Sequence, residues 1–423
     1  MRPLMPLDPE ELDGIGDEVA AHYSALELAV LAAVAETARR GLARPGWAAE
    51  QARLFPRLAG QIRRLVADGT TRGVSLAAGA VSEAAKRGRD SARADLAAIE
   101  ETVARRRAVP PAVRPVDGGR VFGPTPARVT PQPSVQAQSG PRDLTPVSVA
   151  QVPPSPASAT VAAVRAEAAR QATTEALETA GRAVTERALN RWQQVVAEMA
   201  RAELAGDATS LQVQQRVLDE WARRGLPAFT DKAGRTWSLQ AYAEMNVRTA
   251  THQAFGDAHR AELAGAGMDL VIVSSHRNPA DVCQPYERKV LSLSGRLSGS
   301  VQVPSATSDE LVTVQVYSSL DAAESQGYHH PGCRHVESLY VPGVSRPGGT
   351  RPNPAGYAAT QEQRRLERGI REWKRREAVA LSDEARAKAK AKVLEWQGRT
   401  REHIKVHGLD RRYYREQVRI GAA

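Results

Sequence analysis

Cysteine is almost missing from this chain: two residues in 423. That excludes a disulfide-stapled scaffold and makes synthesis and assembly in a reducing cytoplasm the default expectation. Aromatic residues are also scarce, at 4%, while alanine is abundant. The combination suits long helices and assemblies better than one large packed enzyme core. No run of about 18 apolar residues occurs, so no transmembrane helix and no membrane partner are expected. The first residues, Met1 to Asp8, lack the apolar core of a secretory signal. No phosphate-cradling Gly-rich loop is present either. What the chain has in excess is positive charge, +10 overall with a pI near 9.8. Gln361 to Ala423 carries 18 Lys/Arg against 10 Asp/Glu, so this tail holds most of the excess. An acidic partner is implied, with nucleic acid the obvious candidate. The plainer alternative is a solvated, charge-laced helix.

At 423 residues the chain is long enough for two or three domains. From about Leu12 to Gly41, apolar residues Ile15, Val19, Tyr23, Leu26, Val30 and Val34 recur at helical spacing. Asp8 or Asp13 could cap this helix. A second helix is expected near Trp47 to Ala67, with Pro56 delaying or kinking it, and a third from about Gly73 to Arg106. Between Val109 and Ala157 fall twelve of the chain's 26 prolines. Such a stretch cannot sustain a helix or a sheet interior and reads as an extended linker. Helix resumes from about Ala159 to Leu204 and again from Ser210, with Gly225 suited to close it. Asp231-Lys232-Ala233-Gly234 forms a turn between two short extended pieces. Ser238 is placed to cap the next helix, Leu239 to about Leu263. Arg248, Thr249, His252 and His259 give that helix a polar stripe, for which a solvated face is the commoner explanation.

Strand patterning is clear only from Asp269 to Tyr340, where both cysteines and four of the nine histidines also lie. Leu270 to Ser274, Lys289 to Leu293, Val312 to Val316 and Val336 to Val341 are candidate strands. The Gly/Ser-rich stretch from Arg296 to Ser308 reads as a mobile excursion. Two turns about 50 residues apart, by subtraction of their numbers, carry ligand-type pairs: Asp281/Cys283 and His330/Cys333, with His335 nearby. Cys283, His330, Cys333 and one of Asp281 or His335 make a plausible zinc set. A Cys283–Cys333 disulfide, or two buried thiols with no metal, are the alternatives. Cys333 with His330 or His335 could instead serve as nucleophile and base, although no orienting partner or oxyanion turn is evident.

The tail from Gln361 to Gln397 reads as a basic helix with Leu366, Ile370, Trp373 and Val379 on one side. Arg364, Arg365, Arg368, Arg371, Lys374, Arg375 and Arg376 line the rest. Such a helix can lie along phosphates, with Trp373 or Tyr413-Tyr414 as anchors. The alternative is that it packs on its own domain or on a protein partner.

Several of these segments, in order, resemble a known family. Trp237-Ser238-Leu239, Tyr242, Met245 and Arg248-Thr249 fit its pattern, as do Val273-Ser274-Ser275-His276 and Asp281 with Cys283. So do His330-Pro331-Gly332-Cys333-Arg334-His335, Tyr357, Gln363-Arg364, Glu367-Arg368, Ile370-Arg371 and Lys374-Arg375. Together they resemble the tailed-phage minor capsid proteins, the phage minor capsid protein 2 family, related to the phage Mu F-like head morphogenesis proteins. The resemblance runs from about Ala159 to Arg419. It implies a structural, non-enzymatic virion protein, in few copies near the portal, assembled in the host cytoplasm and linked to head assembly, DNA packaging or ejection. It implies the portal and other capsid proteins as partners, and packaged double-stranded DNA as a further one. Related domains often carry C-x-x-C and a Cys-Arg-Cys ending; here Tyr286 and His335 stand in place of the outer cysteines.

The expected fold is α+β and predominantly α-helical. Its parts are an N-terminal helical module (1–107), a Pro-rich linker (108–158), a helical region (159–267), a small β-rich Cys/His domain (268–345) and a basic helical tail (346–423). A metal-dependent hydrolase or toxin-like enzyme built on Cys283, His330 and Cys333 is the competing function.

Overall fold

A computed structural model of the chain describes residues 12, 14–40, 46–108, 156–205, 210–232, 234, 236–276, 278–346 and 356–418. The fold is α+β with helices predominating. Most of the expected linker, together with Asp8 and Asp13, lies outside the described residues.

The first helix, α1 (Asp17–Arg39), follows a single 3-10 turn at Gly14–Gly16. With that turn it is long and apolar enough to cross a membrane, yet 67% of its apolar window is buried in the protein. Its apolar residues are consumed by packing: Val19, Tyr23, Val30, Leu31 and Val34 are all 1% exposed or less. The next two expected helices are one continuous helix, α2 (Trp47–Ala108), with Pro56 inside it on an exposed position. Gly73 does not break α2, because it serves packing. A Cβ there would clash with the Tyr23 hydroxyl, so glycine lets α1 approach.

Helix α3 (Pro156–Ala205) and α4 (Ser210–Arg224) come next, and Gly225 N–H bonds back to the Trp221 carbonyl as expected of a closing residue. Strands β1 (Pro227–Thr230) and β2 (Thr236–Ser238) form the expected hairpin. Ser238 caps α5 (Leu239–Gly265) by accepting from Ala241 N–H at 3.3 Å. One apolar core joins α1 through α5, with Tyr23, Trp47, Ile62, Leu177, Trp192 and Val247 among its members. The N-terminal helices therefore share their core with the later ones.

The sheet has strand order β5-β6-β4-β3-β7: Gly299–Pro304, Leu311–Ser319, Val290–Ser292, Leu270–Val273 and Glu337–Leu339. Only the β4–β6 pair is parallel. The stretch expected as a mobile excursion contains β5, paired with β6 from Gly299↔Val316 to Pro304↔Leu311. The alternation of Val301 and Val303, masked by neighbouring Gly and Ser, makes it a strand. One face of the sheet puts Val271, Val273, Leu291 and Leu339 against Ala92 and Ile99 of α2 and Leu263 of α5. The other face gathers Leu270, Val290, Val303, Val314 and Val316 over Leu297. Helix α6 (Leu320–Ser325) follows β6, capped by Ser319.

The basic tail is a hairpin of two helices, α7 (Gly356–Ala378) and α8 (Asp383–His407), not one helix; a short helix α9 (Tyr413–Glu416) ends it. Ser382 caps α8 and so marks the break, a signal the charge run obscured. At Gly369 a Cβ would clash with the Trp396 ring, so the two helices close at a glycine.

Candidate metal centre and basic surface

Two turns bring the cysteines together. After β3 the chain turns through Cys283, whose N–H bonds to the Ala280 carbonyl, into a 3-10 turn at Gln284–Tyr286. On the far side Cys333 N–H bonds to the His330 carbonyl. Gly332 N–H reaches Thr249 Oγ1 of α5 at 3.2 Å, pinning this second turn to the helix. Cys283 Sγ and Cys333 Sγ lie 3.6 Å apart, and Cys333 Sγ is 3.5 Å from His335 Nδ1. All three side chains are buried, and their ligand atoms fall within 4.8 Å of one another, a group able to hold a metal ion.

Asp281 and His330 stand outside this group. Asp281 is exposed, and His330 turns its Nδ1 to the Pro331 carbonyl at 3.0 Å. The left-handed backbone at His329 (φ 59°) redirects the chain just before His330. Two residues absent from the expected set do belong to the centre. Buried Glu287 meets His335 Nε2 at 3.1 Å and accepts from His276 N–H at 2.6 Å. The His276 ring packs edge-on against His335 with centroids 4.4 Å apart. Glu287 does not stand out along the chain, and His276 does so only within the family-like run Val273–His276; the fold brings both beside the cysteines.

The arrangement Cys333–His335–Glu287 has the connectivity of a nucleophile, base and orienting acid. Its energetics oppose that use. The contact with Cys283, together with burial, pushes the Cys333 thiol up to about 12. Cys333 is only 7% exposed, and Cys283 is fully buried. The same contact lowers the Cys283 thiol, but neither sulfur is open to a substrate, and a shielded thiol is a poor nucleophile. Two soft sulfurs and an imidazole suit a metal better.

Beside this centre lies an ionic network that sequence reasoning missed. Arg260 of α5 donates to Glu337 of β7 at 2.6 Å and to Asp257 at 2.7 Å. Glu337 also receives the Tyr328 hydroxyl at 2.5 Å and faces His329 Nε2 at 2.9 Å. Burial would lower the pKa of His329, but Glu337 and Glu324 outweigh it and raise the imidazole to about 9. Burial would raise the Glu337 carboxyl, but His329 and Arg260 hold it far below the carboxylate range. The network ties α5, the Tyr328 turn and β7 together. The polar stripe of α5 accordingly faces inward, with His259 against Asp95 of α2 at 3.2 Å.

The tail residues divide. Arg375 donates to the Ala222 and Arg223 carbonyls at 2.7 and 3.4 Å, satisfying the C-terminus of α4. Arg371 donates to the Arg415 carbonyl at 2.5 Å, and Lys374 to that of Glu416 at 2.8 Å. Arg376 pairs with Glu372 and stacks on Trp373. Arg364 is half-buried; Arg365 and Arg368 are exposed, the former paired with Glu362. The expected phosphate-facing stripe is therefore, at Arg371, Lys374 and Arg375, a seam inside the protein. Tyr413 stacks with Arg411 but remains exposed. More of the exposed cations lie on α8: Arg386, Lys388, Lys390, Arg399, Arg401 and Lys405.

A family model described as phage minor capsid protein 2 matches residues 142–405, more than half of the chain. A "Structural protein" of Lactococcus phage LL-H is 25% identical over 242 residues, 55% of this chain and 62% of that protein. The chain thus spans less than two thirds of that relative's length. No solved structure matches.

Proposed function

Because the chain belongs to the phage minor capsid protein 2 family, we propose that it stands at the portal vertex of a tailed-phage head and assists assembly, DNA packaging or ejection. Family membership and the phage relative make it a structural phage protein; the vertex, the portal and the DNA are the finer reading. The observation that carries this reading is the extent of the match, which runs from α3 through α5, the sheet and nearly all of the α7–α8 hairpin. A centre whose two sulfurs are shielded from solvent supports scaffolding over hydrolysis. The metal is zinc, which two thiolates and an imidazole favour. It would hold the two turns together, as structural zinc does when binding is coupled to folding. Packaged DNA meets the exposed cations of α8, with Arg365 and Arg368 beside them.

Cross-linking mass spectrometry on purified particles tests the placement. Links between this chain and the portal protein are expected. Absence of the chain from filled heads, or links confined to proteins remote from the portal, would refute it.

A further inference from the structure

Whether the metal centre is a scaffold or a catalyst turns on its fourth position. Structural zinc is closed by four protein ligands, whereas catalytic zinc keeps one position for water. Cys283, Cys333 and His335 supply three.

Bond lengths of about 2.3 Å to sulfur and about 2.0–2.1 Å to nitrogen, at tetrahedral angles, separate two thiolates by roughly 3.8 Å. The same geometry separates a thiolate from an imidazole nitrogen by roughly 3.6 Å. The observed separations, 3.6 Å between the sulfurs and 3.5 Å from Cys333 Sγ to His335 Nδ1, are close to two edges of that tetrahedron. His335 is also oriented as a ligand. Its Nε2 is engaged by the Glu287 carboxylate at 3.1 Å, which leaves Nδ1 for the metal. A carboxylate behind a ligating imidazole fixes its tautomer and raises its basicity.

The same carboxylate holds a second histidine. Glu287 accepts from the His276 backbone N–H, and the His276 ring lies edge-on to His335 with centroids 4.4 Å apart. His276 Nε2 is buried and has no hydrogen-bond partner, although buried polar atoms are normally satisfied. We propose that His276 Nε2 is the fourth ligand, so that Cys283, Cys333, His335 and His276 enclose one zinc ion. This rests on the zinc reading and sharpens it: the site is closed, and no position is left for a reacting water. The His276 nitrogens lie outside the group of ligand atoms within 4.8 Å of one another, so the ring must swing toward the sulfurs to complete the shell. Glu287 then orients one ligand through its imidazole and the other through its backbone.

The test uses the full chain, purified without a histidine tag and loaded with zinc. X-ray absorption at the zinc edge is expected to show two sulfur and two nitrogen neighbours. In competition with a chelator, His276→Ala should weaken zinc at least about tenfold, and Glu287→Gln about 10- to 100-fold. His330→Ala and Asp281→Ala should retain wild-type affinity. Should His276→Ala fail to fold, the wild-type ligand count decides alone. Two sulfurs with one nitrogen and an exchangeable water would overturn the closed site while leaving zinc in place. A wild-type chain that takes up no zinc would overturn both.

Discussion

Helices α7 and α8 carry the same number of cations and put them to opposite uses. Each has seven Lys or Arg residues, in 23 and 25 positions respectively. Those of α7 are six arginines and one lysine, and they turn largely inward, onto the carbonyls of α4 and α9 and toward buried Glu27 and half-buried Glu244. Those of α8 are three arginines and four lysines, and most lie in solvent. The difference follows from the side chains. A guanidinium is weakly hydrated and carries a planar fork of donors, so it can be buried against several carbonyl oxygens. An ammonium is strongly hydrated and resists burial. Positive charge alone does not identify a polyanion-binding helix.

The sharpest way to break this contrast is Arg375→Ala. It removes the donors that serve Ala222 and Arg223 and leaves the fully buried Glu27 with less compensation. A loss of about 4 kcal/mol is expected in denaturant unfolding. A change below about 0.5 kcal/mol would mean that α7 is as loosely held as α8.

Acid should act on the same seam. Burial would raise the Glu244 carboxyl, but Arg248, Arg415 and Arg371 outweigh it and hold it down at about 2. Because the folded value is depressed, the contribution is fully present above the unfolded value near 4.5 and disappears as pH falls toward about 2. It amounts to roughly 3 kcal/mol. Glu244→Gln should flatten that acid limb in unfolding measured across pH; an unchanged limb would remove Glu244 from the seam.

Base should act on the sheet. His329, raised to about 9, contributes stability that is complete below its unfolded value near 6.5 and lost as pH rises through about 9. His329→Gln should abolish roughly 3 kcal/mol of this alkaline loss. Thermal unfolding between pH 6 and pH 10, values chosen to bracket about 6.5 and about 9, would show it.

The smallest effect on stability belongs to α8. Replacing Lys388, Lys390, Arg401 and Lys405 together by alanine should shift stability by no more than about 0.5 kcal/mol per site. DNA binding by the full chain should nevertheless weaken, with the slope of log affinity against log salt falling by about 0.9 for each phosphate no longer neutralised. An unaltered salt slope would leave α8 as a solvated face.

Much of this fold was legible from periodicity and capping. The Ser238 cap, the 227–238 hairpin, the stop at Gly225 and four of the five sheet strands follow from local rules. The misses have local causes too. Gly73 looked like a break because its value lies in the approach of Tyr23, which no window of sequence reveals. Strand β5 was hidden because two alternating valines are a weak signal among Gly and Ser. At the candidate metal centre, Cys283, Cys333 and His335 were legible by residue type. Asp281 and His330 looked equally suitable, and only turn geometry removed them.

By itself, the sequence determined a helix-rich chain with one small sheet, two thiols confined to it, and a basic end. These features come from composition and near-neighbour spacing, which are properties of short stretches. Tertiary structure alone decided which charges are buried, which histidines face the sulfurs, and which basic helix meets solvent. Those outcomes depend on desolvation and on hydrogen-bond partners far away in the chain, as Arg375 depends on the carbonyls of Ala222 and Arg223.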